Sequence, residues 1–289
     1  MFRFRKEQKT FKIGNVKVGG KPENPTVLIG SIFYQGHRIV EDSKRGLFDI
    51  KKAEDLINLQ EELSDRTGNP CMIDIVAISE EAMVRYIQFV SEITDSPLLI
   101  DSPDVDVRIL GLKYIAETGL EKRAIYNSLT PQSSKNEFTI ISECNVESAI
   151  ILTYSRNLLS SSSRVEVLRE LIPRAESAGI SKPLIDTLVI DVPSLSLSSR
   201  AMFEIKKSYG LPCGCGAHNA ASSWRGFENL LGEDRKKAVE ISVNIMPVVL
   251  GADFLLYGPI EKCEDVFPGV YTIDTSYRYL KRLKEEIEI

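Results

Sequence analysis

Short apolar runs return along this chain at intervals of which most are 25 to 27 residues, the length of one strand, one helix and two loops. They are VLIGSIF (27–33), MIDIVA (72–77), PLLID (97–101), AIYN (124–127), AIILTY (149–154), TLVID (187–191), PCGCGA (212–217) and FLLYG (254–258). Between them lie stretches with helical spacing of apolar residues, such as IKKAEDLINLQEELSDRTG and VDVRILGLKYIAETG, and several stop at glycine, as helices often do. Strands alternating with helices imply a parallel sheet with right-handed crossovers. Eight such units are the number that closes a (β/α)8 TIM barrel of the usual ~250-residue size. A doubly wound open sheet would usually place a glycine-rich phosphate turn after its first strand. Here that strand is followed by YQGHRIVEDSKRG, which has isolated glycines and no GxGxxG. FKIGNVKV reads as a hairpin about Gly14-Asn15. The expected organisation is therefore α/β, one domain over residues 1–289, with residues 1–20 as an N-terminal β-hairpin capping the barrel.

The barrel gives the polar ends of these runs a meaning. In this fold the groups that bind and react come from the C-terminal ends of the strands, which converge on one mouth. Asp101, Asn127, Asp191 and Asn219 fall at such ends, of strands three, four, six and seven, and Asp74 within strand two reaches toward the same space. An Asp or Asn after a strand can also cap the following helix; four in series favour a site. His37, just past strand one in YQGHRIV, and Ser102, Ser128 and His218 are secondary candidates. Carboxylates at the rim of an apolar pocket suit a planar ligand with adjacent N–H donors, such as the 2-amino and N3–H edge of a pterin, at roughly 1.5 to 3 kcal/mol per charge-assisted bond.

Composition excludes other partners. With 41 acids against 36 bases, a net charge of -5 and no basic block, an extended nucleic-acid footprint is not expected. No run approaches ~18 apolar residues, so no direct membrane insertion is expected. The charged start MFRFRKEQKTFKIG lacks an apolar signal core, and the five cysteines are an odd number, which fits a reducing compartment; the chain is expected in the cytoplasm. Cys213, Cys215 and His218 stand together in CGCGAH, but C-x-C-x-x-H is not a common closed zinc spacing, and no directly bound metal is expected.

The series LLIDSPD, AIYNSLT, TLVIDVP and CGAHNAAS resembles the pterin-binding barrels: methyltetrahydrofolate:corrinoid methyltransferases, the folate module of methionine synthase, and dihydropteroate synthase. MFRFRKEQ, VLIGSIFYQGHRIV and IDSPDVDVRILGLKYI resemble more closely the H subunit of tetrahydromethanopterin S-methyltransferase and its free-standing relatives, over nearly the whole chain. The resemblance implies pterin-ring contacts at Asp101, Asn127 and Asp191, with the amide of Asn219 near N5, where the methyl group sits. It implies methyl transfer between N5 of a tetrahydropterin, either tetrahydromethanopterin or tetrahydrofolate, and the cobalt of a corrinoid carried by a partner protein. A homodimer is also expected. Dihydropteroate synthase presents a lysine on its seventh strand, where this chain has CGAHN, which counts against a synthase. The other alternative is a non-catalytic subunit that docks a corrinoid protein; it would not need a polar, concave pocket.

Overall fold

Strands covered on both faces read as continuous apolar runs, and the strands of this protein are buried along nearly their whole length. The computed structural model describes residues 2–289; residue 1, included in the expected span, lies outside the described residues. Eight strands form a closed parallel barrel: β1 (Val27–Ile32), β2 (Cys71–Val76), β3 (Leu98–Asp101), β4 (Ala124–Leu129), β5 (Ser148–Leu152), β6 (Lys182–Asp186), β7 (Cys213–Cys215) and β8 (Phe254–Pro259). Each pairs with the next in sequence, and β8 closes on β1 with Leu255 opposite Leu28.

The strands alternate with α1 (Ile50–Thr67), α2 (Glu80–Ile93), α3 (Val105–Thr118), α4 (Lys135–Glu143), α5 (Ser161–Ser177) and α6 (Val192–Ser208). After β7 comes a short α7 (His218–Ser222) and then α8 (Lys236–Val249), and α9 (Cys263–Leu283) follows β8. Local chemistry sets the ends. Asp49 accepts from Lys52 N at the start of α1, and Gly68 takes the left-handed conformation at its end. Ser134 and Glu137 form a capping box at α4.

Ile29, Met72, Leu99, Ile125, Ile150, Leu184 and Phe254 fill the barrel interior in one cluster with Ile13, Val16 and Val18. The last three belong to the antiparallel hairpin of Thr10–Ile13 and Val16–Gly19, so that hairpin packs into the N-terminal end of the barrel. Two ion pairs are also buried there: Lys206 Nζ lies 2.6 Å from Asp253 Oδ2, and Lys21 Nζ lies 2.8 Å from Asp274 Oδ1. Phe2–Arg3 pairs in parallel with Ile287–Glu288, a contact between the two ends of the chain that no local pattern announces.

The sixth unit departs from expectation. Its strand is KPLID, ending at Asp186, and not TLVID, ending at Asp191. Residues 187–191 form a turn, with Leu188 at φ +56°, and α6 begins at Val192. The two adjacent segments PLID and LVID are alike in composition, and Pro183 argues against a strand. The deciding signal is Asp-Val-Pro-Ser: an acid at the N-cap and a proline in the first turn start a helix there. Strand seven is also shorter than PCGCGA, so Asn219 stands on α7 rather than on a strand.

Candidate functional site

A cavity of about 520 Å³ opens at the C-terminal mouth of the barrel. Asp74, Asp101, Asn127, Ser128, Asp186, His218 and Asn219 line it, together with Ser31 and Tyr34.

Asp74 is at its base. The neighbouring register of β1 and β2 sets Ser31 opposite Asp74, and Ser31 Oγ donates to Asp74 Oδ2 at 2.7 Å. Asn127 Nδ2 donates to Asp74 Oδ1 at 3.2 Å. Only 2% of Asp74 is exposed, and burial pushes its carboxyl up to about 6 despite these two donors. Asp101 is raised well above the usual carboxylate range, first by burial and then by the negative charge of Asp74, with Arg108 pulling the other way. Two buried acids side by side resist ionising together. Since an ionised carboxylate only accepts, Asp74 fixes the amide of Asn127: the nitrogen turns to Asp74 and the oxygen is left for the cavity.

On the opposite side, Asp186 is 8% exposed and accepts from Leu188 N at 2.7 Å. Burial raises its carboxyl to about 6, against that bond and the charge of Arg164. Arg164, fully buried on α5, donates to Thr187 O at 2.6 Å, to Leu188 O, and to Leu158 O at 3.1 Å. It therefore ties down the turn that follows β6. Asn219 Nδ2 donates to Val189 O in the same turn at 3.2 Å, so one arginine braces the positions of both Asp186 and Asn219.

His218 Nδ1 lies 3.1 Å from Leu256 O. A carbonyl only accepts, so the proton is on Nδ1, and burial lowers the imidazole pKa, keeping the ring neutral. The ring packs on Gly258, where φ is +88° and a Cβ would come within 2.6 Å of it.

Other expected residues lie elsewhere. Asp191 is exposed and caps α6, accepting from Ser194 N at 2.8 Å; the strand end expected of it belongs to Asp186. His37 is not on the cavity wall: its Nδ1 accepts from Phe33 N at 3.0 Å and its Nε2 is 3.0 Å from Glu261 Oε1. Its ring stacks on Tyr34, and the Tyr34 hydroxyl, which donates to Glu261 at 3.1 Å, makes Tyr34 the residue of that loop that reaches the cavity. Ser102 is buried off the wall and accepts from Asp104 N at 3.1 Å. Cys213 and Cys215 are buried within β7, Cys213 Sγ donates to Leu211 O at 3.2 Å, and among the described residues no group of three or more His, Cys, Asp or Glu is placed to hold a metal ion. Sequence reasoning does not single out Asp186, Ser31 or Tyr34 as lining residues; the stretch SIFYQG carries the resemblance, but only the barrel register aims Ser31 at Asp74.

Residues 6–289 match the family described as "Tetrahydromethanopterin S-methyltransferase MtrH subunit". The chain belongs to the MtrH subunit family. The H subunit of tetrahydromethanopterin S-methyltransferase from Methanocaldococcus jannaschii is 38% identical over 95% of this chain and 92% of its own. The protein of the same name from Methanopyrus kandleri is 37% identical over 93% and 90%. Under a provisional name, the H subunit of methyltransferase mtx from Methanosarcina mazei is 40% identical over 93% and 90%. Among solved structures, Yersinia pestis dihydropteroate synthase has a TM-score of 0.66 at 12% identity, covering 94% of this chain and all of that one. A Coxiella burnetii dihydropteroate synthase in complex with pteroic acid has a TM-score of 0.63 at 14% identity, covering 93% and 99%. At those identities the likeness is one of fold, the TIM barrel. As an MtrH-family protein the chain is a methyltransferase. No helix among its described residues is long and apolar enough to cross a membrane.

Proposed function

We propose that the mouth cavity binds a reduced pterin of the tetrahydromethanopterin class, and that the protein moves a methyl group between its N5 and the cobalt of a corrinoid held by another protein. The observation that carries this reading is the polarity of the cavity. Asp101, Asp186 and the oxygen left by Asn127 are acceptors, no lysine or arginine stands among its described lining residues, and the apolar Leu152 and Leu256 complete the wall. A reduced pterin presents the complement, a flat ring with N–H donors on its 2-amino group, N3 and N8. The names of the relatives add the pterin class and the methyl group.

The roles follow from placement. Asp101 and Asp186 hold the donor edge, and Asp74 acts on it through Asn127. Burial and the neighbouring Asp74 push the Asp101 carboxyl up, and N–H donors arriving at it favour its ionised form. A tertiary amine leaves poorly unless it is protonated or strongly hydrogen-bonded as the C–N bond breaks. Asn219, braced on Val189 O, supplies a hydrogen bond at N5; an amide does not give up a proton at neutral pH, so the proton itself comes from water. The corrinoid cobalt supplies the methyl-exchanging centre, and this chain binds and orients the ring beneath it.

The test is spectroscopic. Mixed with methyl-tetrahydropterin and a reduced cob(I) corrinoid protein, the enzyme converts the cob(I) spectrum to that of the methylated corrinoid. A cob(I) spectrum that stays unchanged with every methylated pterin and cognate corrinoid protein removes the proposal.

A further inference from the structure

Methyl exchange at N5 needs a group that gives and takes a proton there, and the amide of Asn219 does neither. In the described lining of the mouth cavity the residues that titrate are Tyr34, Asp74, Asp101, Asp186 and His218. Asp74 is engaged by Ser31 and Asn127, and Asp101 and Asp186 face the donor edge of the ring. The Tyr34 hydroxyl is turned onto Glu261; burial, then that carboxylate, pushes its pKa up, so at neutral pH it keeps its proton. His218 is what remains.

The seat of this imidazole leaves one nitrogen free. Nδ1 carries the proton and donates it to Leu256 O at 3.1 Å. Gly258 lies against Cγ and Cδ2, where a Cβ would come within 2.6 and 2.7 Å, and Gly216 flanks Cε1, where a Cβ would lie 3.7 Å away. Leu256, Gly258 and Gly216 all line the mouth cavity, so the ring is seated in its wall. Nε2 is the ring atom these contacts leave over. It makes no hydrogen bond to any described residue, and because burial keeps the partly exposed ring neutral, its lone pair is unoccupied. The charged residues that share a second, smaller cavity with His218 are two of each sign, Lys236, Lys262, Glu240 and Asp265, and Lys262 is paired with Glu240 at 2.8 Å. No net charge on that side opposes a transient imidazolium.

We propose that His218 Nε2 is the atom that exchanges the proton with N5. His218 and Asn219 are successive residues of α7, so the imidazole stands beside the amide placed at N5. In the direction that methylates the pterin, the N5 lone pair forms the N–C bond and the carbon–cobalt bond breaks with its electron pair left on the cobalt. The proton that N5 carried passes to Nε2, and water takes it from the ring. In the other direction the imidazolium gives that proton to N5 as the C–N bond breaks and the cobalt electron pair takes the methyl carbon. The inference rests on the pterin reading, and it names the residue through which the proton of water reaches N5.

The chain has two histidines, His37 and His218, and heteronuclear NMR of the full chain tells them apart by tautomer. His218 shows its proton on Nδ1, and His37, whose Nδ1 accepts from Phe33 N at 3.0 Å, shows it on Nε2. A tetrahydropterin with N5–H shifts the His218 Nε2 resonance toward that of a protonated nitrogen, and the 5-methyl form, which has no N5–H to donate, leaves it near its free position. Single-turnover methyl transfer gives the second readout. His218→Asn keeps a donor to Leu256 O in its amide but has no base, so it slows transfer about 100-fold or more while Tm and pterin affinity hold. His218→Ala is as slow and is restored by added imidazole, more by more basic imidazoles in the direction that methylates N5. A proton on Nε2 in the free protein, equal shifts with both pterins, or a wild-type rate in His218→Asn overturns the proposal and leaves the pterin reading standing. Failure of both pterins to bind overturns the pterin reading, and this inference with it.

Discussion

Asp186→Asn and Asp191→Ala separate two acids that lie five positions apart and look alike as text. Asp186 uses one oxygen on Leu188 N and is 8% exposed at the cavity wall. An asparagine there keeps the bond from Leu188 N through its own oxygen and turns an NH2 toward the N–H donors of the ligand. The charge-assisted bond is lost, at about 1.5 to 3 kcal/mol, so pterin affinity falls about 10- to 150-fold. The same change makes the free protein more stable at neutral pH. The Asp186 carboxyl is raised from an ordinary value of 3.8 to about 6, so the folded state holds this proton more tightly than the unfolded chain. Its stabilising contribution is present below about pH 4 and is lost as pH rises through about 6, which amounts to about 3 kcal/mol at pH 7. Asp186→Asn removes that loss, so its advantage over wild type grows from about pH 4, is nearly complete by about pH 6 and vanishes below about pH 4. Asp191→Ala does the reverse. It removes the cap of α6, costs about 1 kcal/mol and a Tm decrease of about 2 to 4 °C, and leaves pterin affinity alone. Calorimetric titration of both variants, with thermal unfolding at pH 4 and pH 7, checks the pair. Tenfold weaker binding in Asp191→Ala with unchanged binding in Asp186→Asn would refute the reasoning.

Other outcomes follow from the same geometry. Asn219→Ala lowers the methyl-transfer rate more than it weakens pterin binding, because its hydrogen bond strengthens as charge develops at N5; single-turnover kinetics beside equilibrium titration show the split, and equal losses would make it a ground-state contact. Asp74→Ala removes the acceptor that holds the Asn127 amide nitrogen, so the amide turns freely and can present NH2 to the cavity, and the preference for a reduced pterin, which carries N8–H, over an oxidised one shrinks at least several-fold in paired titrations; an unchanged ratio would separate Asp74 from Asn127. Pterin binding near pH 7 releases a proton from the Asp74 and Asp101 pair, seen as a binding enthalpy that depends on the ionisation enthalpy of the buffer; no buffer dependence would mean that Asp101 is already ionised. Lys206→Met leaves Asp253 buried without its partner and costs about 3 to 5 kcal/mol in chemical denaturation, part of which Asp253→Asn restores in the double variant.

The sequence by itself determined the architecture, because its information is periodic. Eight apolar runs joined by helices admit few closed arrangements, and capping residues such as Asp49 and Gly68 mark the helix ends locally. It also marked Asp74, Asp101, Asn127 and Asn219, since a polar residue that closes or follows a buried run is visible in one dimension. PLID and LVID are alike in composition; the Asp-Val-Pro-Ser helix start is a local pointer against LVID, Pro183 a local pointer against PLID, and tertiary structure settles the choice. Ile185 aligns with Cys213 and Leu184 with Ile150, while Arg164, over 20 residues away, holds residues 187 and 188 as a turn. The site's electrostatics were decided the same way. That Ser31 and Asn127 share one carboxylate, that burial and then the nearby Asp74 push the Asp101 carboxyl up, and that Asn244 is left with an unpaired oxygen beside α7 are facts of distance between residues far apart in the chain. Periodicity fixes which face a side chain takes; only closure of the barrel brings those faces to one point, and hydrogen bonds and burial act over a few ångströms of space, whatever the separation in sequence.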